Sequence, residues 1–278
     1  MRARVAVLTA AFLVAGSSAA PAQGPGDPTT VFADGLGAAC RMAFDSVGNL
    51  LVASLNTGEI WSIDPAGGVT LFTDQVPDPR WVSFDAFGWP LVTSHTNAMV
   101  HRISPQGEVT EFAPVDGGVG IVTDQDGSVW VAAVDTLWHF DAMGRVLEAI
   151  ETLDTYGIAA RGIYPAPNGS LYLTGSAGAL WRLVDGVPEQ LQGVHPYRWW
   201  GLAFDVAGNG YWAHEGIDEG DIDRLVLIDL DGNWLNETWS TQLVDPCRCV
   251  FGRDSDGRTH SDLYVGQGDG TIVKVAAG

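Results

Sequence analysis

Six times along the chain a glycine turn leads into a short apolar strand, at VGNLLVAS, FGWPLVTS, DGSVWVAA, NGSLYLTG, AGNGYWAH and DGRTHSDLYVG. The turn glycines Gly48, Gly88, Gly127, Gly169, Gly208 and Gly257 follow one another at 40, 39, 42, 39 and 49 residues. A unit of this size, made of short strands with no helical period, cannot bury both of its faces alone and must stack against copies of itself. Closing the stack into a ring leaves no face wet. The expected architecture is therefore all-β, a six-bladed β-propeller.

Each repeat reads as four strands. In the first, CRMAFDSVG runs along the axis, followed by NLLVASLN, GEIWSID and an outer GVTLFTD. These runs are short, rich in Val, Leu, Trp and Phe, and bounded by Gly, Asp or Pro, which is the pattern of strands and turns. The sixth repeat ends without an outer strand. Thr30-Val31-Phe32-Ala33-Asp34 near the N-terminus resembles Thr70-Leu71-Phe72-Thr73-Asp74, the outer strand of the first repeat. The N-terminal strand is thus expected to complete the last blade. Trp61, Trp130, Trp138, Tyr172 and Trp181 recur at equivalent strand positions and are expected to fill the space between blades.

The first residues, MRARVAVLTAAFLVAGSSAAPAQG, combine two arginines, an apolar stretch too short to span a bilayer, and the small residues Ala20-Pro21-Ala22. This is the pattern of a secretory signal peptide. Residues 1–22 are expected to be the leader and 23–278 a single propeller domain, secreted or periplasmic, with no membrane span. The chain carries 34 acidic against 14 basic residues, a net charge of −20. Nucleic acid and anionic lipid, which need clustered Lys and Arg, are excluded as partners. Of the three cysteines, Cys40 enters the first axial strand, and Cys247 and Cys249 enter the sixth. Ring closure makes those strands neighbours, so a bridge from Cys40 to Cys247 or Cys249 is expected to staple the seam.

Strand alternation sorts the loops onto two faces. Connections from second to third strands, and from each outer strand to the next axial strand, surround one mouth of the channel, where a propeller usually carries its site. Arg80, Trp81, Arg161, Tyr197, Trp199 and Trp200 stand there as candidate ligand-binding residues. The arginines suit a carboxylate, and the aromatics suit a planar ligand. His95 and His214 follow second strands and are candidate general bases. Glu215 opens the insertion HEGIDEGDIDR, whose oxygen ligands suit Mg2+ or Ca2+ if a cofactor binds. Asp218, Glu219, Asp221 and Asp223 follow in it at irregular spacing.

The glycine-strand repeat, followed in the second copy by MVHRISPQGEVTEF, resembles a superfamily that includes NHL-repeat proteins, the senescence marker protein/gluconolactonase group and virginiamycin B lyase. The resemblance implies a six-bladed propeller over nearly the whole chain after the leader. It also implies a divalent cation at the channel mouth in the lactonase group, and a His with Glu-held Mg2+ in the lyase. At the lactonase contexts this chain reads Arg161-Gly162-Ile163 and Trp200-Gly201-Leu202. The segment similar to the lyase signature is Tyr211-Trp212-Ala213-His214-Glu215, with the register moved by one. Two functions follow. One is an exported protein that binds a small molecule or a protein partner at the channel mouth with no intact catalytic motif. The alternative is a metal-assisted lyase or lactonase that opens a cyclic ester.

Overall fold

A computed structural model of the chain describes residues 29–275, apart from 56, 152–157, 159, 176–178, 185, 192–198, 216–222, 241–242 and 254–258. The expected leader, together with His195, Tyr197, Asp218, Glu219 and Asp221, lies outside the described residues. The described strands form six four-stranded antiparallel sheets. Blade 1 is built of Arg41–Phe44, Leu50–Ala53, Ile60–Ile63 and Val69–Thr73. The axial strands of blades 2 to 6 are Pro79–Phe84, Gly120–Thr123, Ala160–Pro165, Trp199–Phe204 and Pro246–Arg253. Each axial strand packs on the next, and the sixth packs on the first, so the ring is closed.

Closure is made as expected. Thr29–Ala33 is the outer strand of blade 6 and pairs with Ile272–Val275, Thr30 standing opposite Lys274 and Val31 opposite Val273. A disulfide joins Cys40 to Cys247, with Cα atoms 5.2 Å apart and 207 residues between them in sequence. It ties the start of blade 1 to the axial strand of blade 6. Cys249 is a free, buried thiol. Its Sγ faces blade 5, 3.0 Å from the Tyr211 carbonyl, and burial pushes its pKa up to about 12. The two cysteines of the sixth strand thus reach opposite neighbours, because the strand bulges between Pro246 and Arg248.

The turns explain how so acidic a chain holds short strands. Asp45 Oδ1 accepts the backbone N–H groups of Val47 and Asn49 at 2.9 and 2.8 Å. Asp85 does the same for Phe87 and Trp89, and Asp205 for Ala207 and Asn209. Asp64, Asp141 and Asp229 repeat the device between third and fourth strands. Each carboxylate satisfies two turn donors, and the glycine three residues on takes a left-handed φ, +80° at Gly88. Part of the acid surplus is therefore turn chemistry. Between the blades, Tyr172, Trp130 and Trp181 are buried in the hydrophobic clusters, while Trp61 and Trp138 pack against them partly exposed.

Candidate functional site

The axial strands enclose a cavity of about 700 Å³. All six blades contribute to its wall, through residues such as Phe44, Val82, Val122, Tyr164, Ala203 and Val250. Ser46, Phe87, Gly88 and Gln125 also line it, so it opens on the face of the turns from first to second strands. That is the opposite face from the loop mouth where sequence alternation placed the candidate residues.

The inner end of the cavity is built by three side chains from alternate blades. Trp81 comes from blade 2, Tyr164 from blade 4 and Arg248 from blade 6. The Arg248 guanidinium carbon lies 4.2 Å from the Trp81 ring centroid and 5.0 Å from that of Tyr164. The two rings meet edge to face with centroids 5.9 Å apart. Stacking of a guanidinium on ring faces supplies cation–π attraction, strongest where water is excluded. All three residues are buried, and Arg248 and Tyr164 line the cavity.

Local sequence explains why these side chains can meet on the axis. Strand pairing places Arg248 at the level of Arg41 in blade 1, Trp81 in blade 2 and Gly120 and Gly162 in blades 3 and 4, and Gly201 of blade 5 packs against its backbone. A Cβ on Gly201 would stand 2.6 Å from the Arg248 Cα, and one on Gly120 3.0 Å from the Ile163 nitrogen. A Cβ on Gly162 would strike the Tyr164 hydroxyl. The glycines let neighbouring axial strands approach and leave the centre to larger side chains from the other blades.

The electrostatics of this cluster are unusual. Burial pushes the Arg248 guanidinium below the usual arginine range, while nearby Tyr164 and Cys249 oppose the shift. An arginine stays protonated even so. Burial raises both the Tyr164 phenol and the Cys249 thiol, so both are neutral at neutral pH. No carboxylate contributes to the shift of Arg248. Arg248 Nε and Nη1 have no hydrogen-bond acceptor among the described residues, and neither does the buried Trp81 Nε1. All three atoms can only donate.

The residues singled out in the sequence are distributed as follows. Trp81 joins the axial cluster. Arg80 pairs with Asp78 at 3.0 Å, and Asp78 also accepts from the Thr96 hydroxyl. Arg161, Trp199 and Trp200 lie on axial strands, with side chains outside the described set, and Tyr197 lies outside it altogether. His95 is exposed in a turn of blade 2, whereas His214 is fully buried at the end of a blade 5 strand. The ring order sets these two histidines on opposite blades. Glu215 follows His214 directly. Among the described residues no three His, Cys, Asp or Glu side chains gather as a metal site, so the described donors do not fit the divalent cation implied by the lactonase and lyase resemblance.

Strand alternation did not single out Arg248, because the bulge between Pro246 and Arg248 breaks the alternation of the sixth axial strand. The signal was present. Cys40-Arg41 and Cys247-Arg248 are the same dipeptide, and the bridged cysteines stand at matching ends of adjacent axial strands.

No protein-family model matches the chain, and no curated protein matches it in sequence. Solved structures do match. A gluconolactonase from Xanthomonas campestris superposes with a TM-score of 0.67 at 15% identity, covering 91% of both chains. A virginiamycin B lyase from Staphylococcus aureus gives 0.64 at 13%, covering 84% of this chain and 93% of that one. An auxiliary nutrient binding protein from Bacteroides thetaiotaomicron gives 0.65 at 12%, covering 87% and 69%. At such identities the likeness is one of fold. The chain is a six-bladed β-propeller, closed by its N-terminal strand, and its fold is similar to those of the gluconolactonase and virginiamycin B lyase structures.

Proposed function

We propose that this protein is an exported binding protein that takes up a small molecule in its central cavity, entering from the face of the first-to-second strand turns. The observation that carries the reading is the cavity itself. Its volume of about 700 Å³ lies within the roughly 300–1,000 Å³ usual for small-molecule sites. Apolar wall residues such as Val122, Ala203 and Val250 would supply affinity, and the polar cluster at the inner end would supply orientation. A propeller of the same fold is a nutrient binding protein, which is in keeping with this use of the architecture. The apolar leader pattern is the support for export.

Two substitutions test the reading. Ser83 and Ala203 line the cavity from opposite blades, so Ser83→Trp and Ala203→Trp would each fill it. Small molecules that raise the melting temperature of the native protein are expected to lose that effect in both variants, with circular dichroism confirming that each variant folds. Ligands that stabilise the native protein and both filled variants equally would place binding elsewhere and end the proposal.

A further inference from the structure

We infer that the ligand carries a carboxylate on an apolar body, and that Arg248 at the inner end of the cavity is the group that recognises it. This rests on the small-molecule reading above and adds the chemistry of the ligand.

The chain as a whole is strongly acidic, yet the inner end of its central cavity is cationic. A buried guanidinium is ordinarily balanced by a carboxylate, because an uncompensated buried charge is destabilising. Arg102 in the same protein shows the ordinary arrangement, donating from Nε to Asp85 Oδ2 at 2.6 Å. Arg248 has no such partner. Its neighbours are two aromatic faces, the neutral Tyr164 hydroxyl with which it hydrogen-bonds, and a neutral thiol. Two of its nitrogens and the indole nitrogen of Trp81 are buried donors without acceptors among the described residues. The set is complementary to an oxyanion. Guanidinium geometry matches the two oxygens of a carboxylate, with charge-assisted bonds stronger than neutral ones.

Two features favour an organic acid over an inorganic anion. The cavity is much larger than a bare ion requires. Its wall between the turn rim and Arg248 carries the apolar residues Ala43, Val122, Ala203 and Val250 and the Tyr164 ring, beside the polar Ser83. A carboxylate entering head first would reach the guanidinium while its body displaced water from those side chains.

The experiment compares acids with neutral isosteres. Octanoate and 3-phenylpropionate are titrated calorimetrically into the native protein, each beside its primary amide, with sodium chloride and inorganic phosphate as further arms. Each acid is expected to bind at least ten-fold more tightly than its amide. In Arg248→Met the preference should fall to about one, with amide affinity unchanged. The same variant is expected to melt at or above the native temperature, since it removes an unbalanced charge, whereas a purely structural arginine would leave it melting lower. Arg248→Lys should keep part of the preference. Equal binding of acid and amide to the native protein would overturn carboxylate recognition and leave the cavity reading standing. So would a preference that survives Arg248→Met. Phosphate or chloride displacing the acids at comparable concentration would show a small-anion site and overturn the organic-acid assignment. Failure of all four organic probes to bind would overturn the organic-acid assignment, while the cavity reading is decided separately by the Ser83→Trp and Ala203→Trp variants.

Discussion

Arg102 at the rim of blade 2 and Arg248 on the axis are both arginines stacked on aromatic rings, and they do opposite things. Arg102 lies over Phe87, Trp89 and Phe112, with ring centroids 5.3 to 5.8 Å away, and pairs with the buried Asp85. That carboxylate in turn holds two backbone donors of the adjoining turn. Every charge in the group is answered, and the product is a stiff hairpin. Arg248 has the same kind of aromatic support without the carboxylate. One arginine completes a structure, while the other leaves a demand that the fold does not meet. Stability is given up where recognition needs an open valence.

The comparison breaks if the two residues respond alike to removal of their charge. Arg102→Met strands the Asp85 carboxylate in a buried position, and chemical denaturation should show a loss of about 3 kcal/mol or more. Arg248→Met should be neutral or gain about 1 kcal/mol or more in the same assay, the opposite sign. Next in size is the bridge that anchors the Arg248 strand. Replacing Cys40 and Cys247 by serine should lower stability by about 2–5 kcal/mol, because the bridge closes a long loop of the unfolded chain.

Two glycines sharpen the contrast further. Gly201→Ala drives a methyl group into the backbone of the Arg248 strand and should cost about 1–3 kcal/mol while weakening carboxylate binding. Gly169→Ala in a turn of blade 4 has open space around it and suffers only from its left-handed φ, so about 1 kcal/mol should be lost with binding intact. The smallest effect concerns His101, on blade 2 behind Arg102. Burial holds its pKa below 6.5, with Glu111 and the Thr110 backbone opposing that shift. The unfolded chain therefore takes up the proton first. The stability contributed by neutral His101 is complete above pH 6.5 and is lost as pH falls below that value toward the folded pKa. His101→Gln should flatten the stability profile over that interval, by under about 1 kcal/mol, as read from melting temperatures across the pH series.

The fold was legible because its instructions are local and repeated. Gly48, Gly88, Gly127, Gly169 and Gly208 all take the left-handed turn conformation their spacing implied. The match between Thr30–Asp34 and Thr70–Asp74 announced ring closure. The inner end of the cavity was not legible, because Trp81, Tyr164 and Arg248 come from blades that share no strand pairing and meet only across the axis. Local alternation also fails where the sixth axial strand bulges twice, between Pro246 and Arg248 and between Phe251 and Arg253. The first bulge sets Cys247 toward blade 1 and Cys249 toward blade 5, a choice of disulfide partner that strand alternation leaves open.

The pairing of Thr29–Ala33 with Ile272–Val275 also governs the protein's biosynthesis. Thr29–Ala33 has no partner until the ribosome has delivered Ile272–Val275. A nascent chain therefore carries its first blades as an unsealed arc, and a premature stop shortly before residue 272 leaves blade 6 without the strand that Thr29–Ala33 must dock on. Deletion of Ile272–Val275 should accordingly be felt far away in sequence, as protease sensitivity of Thr29–Ala33.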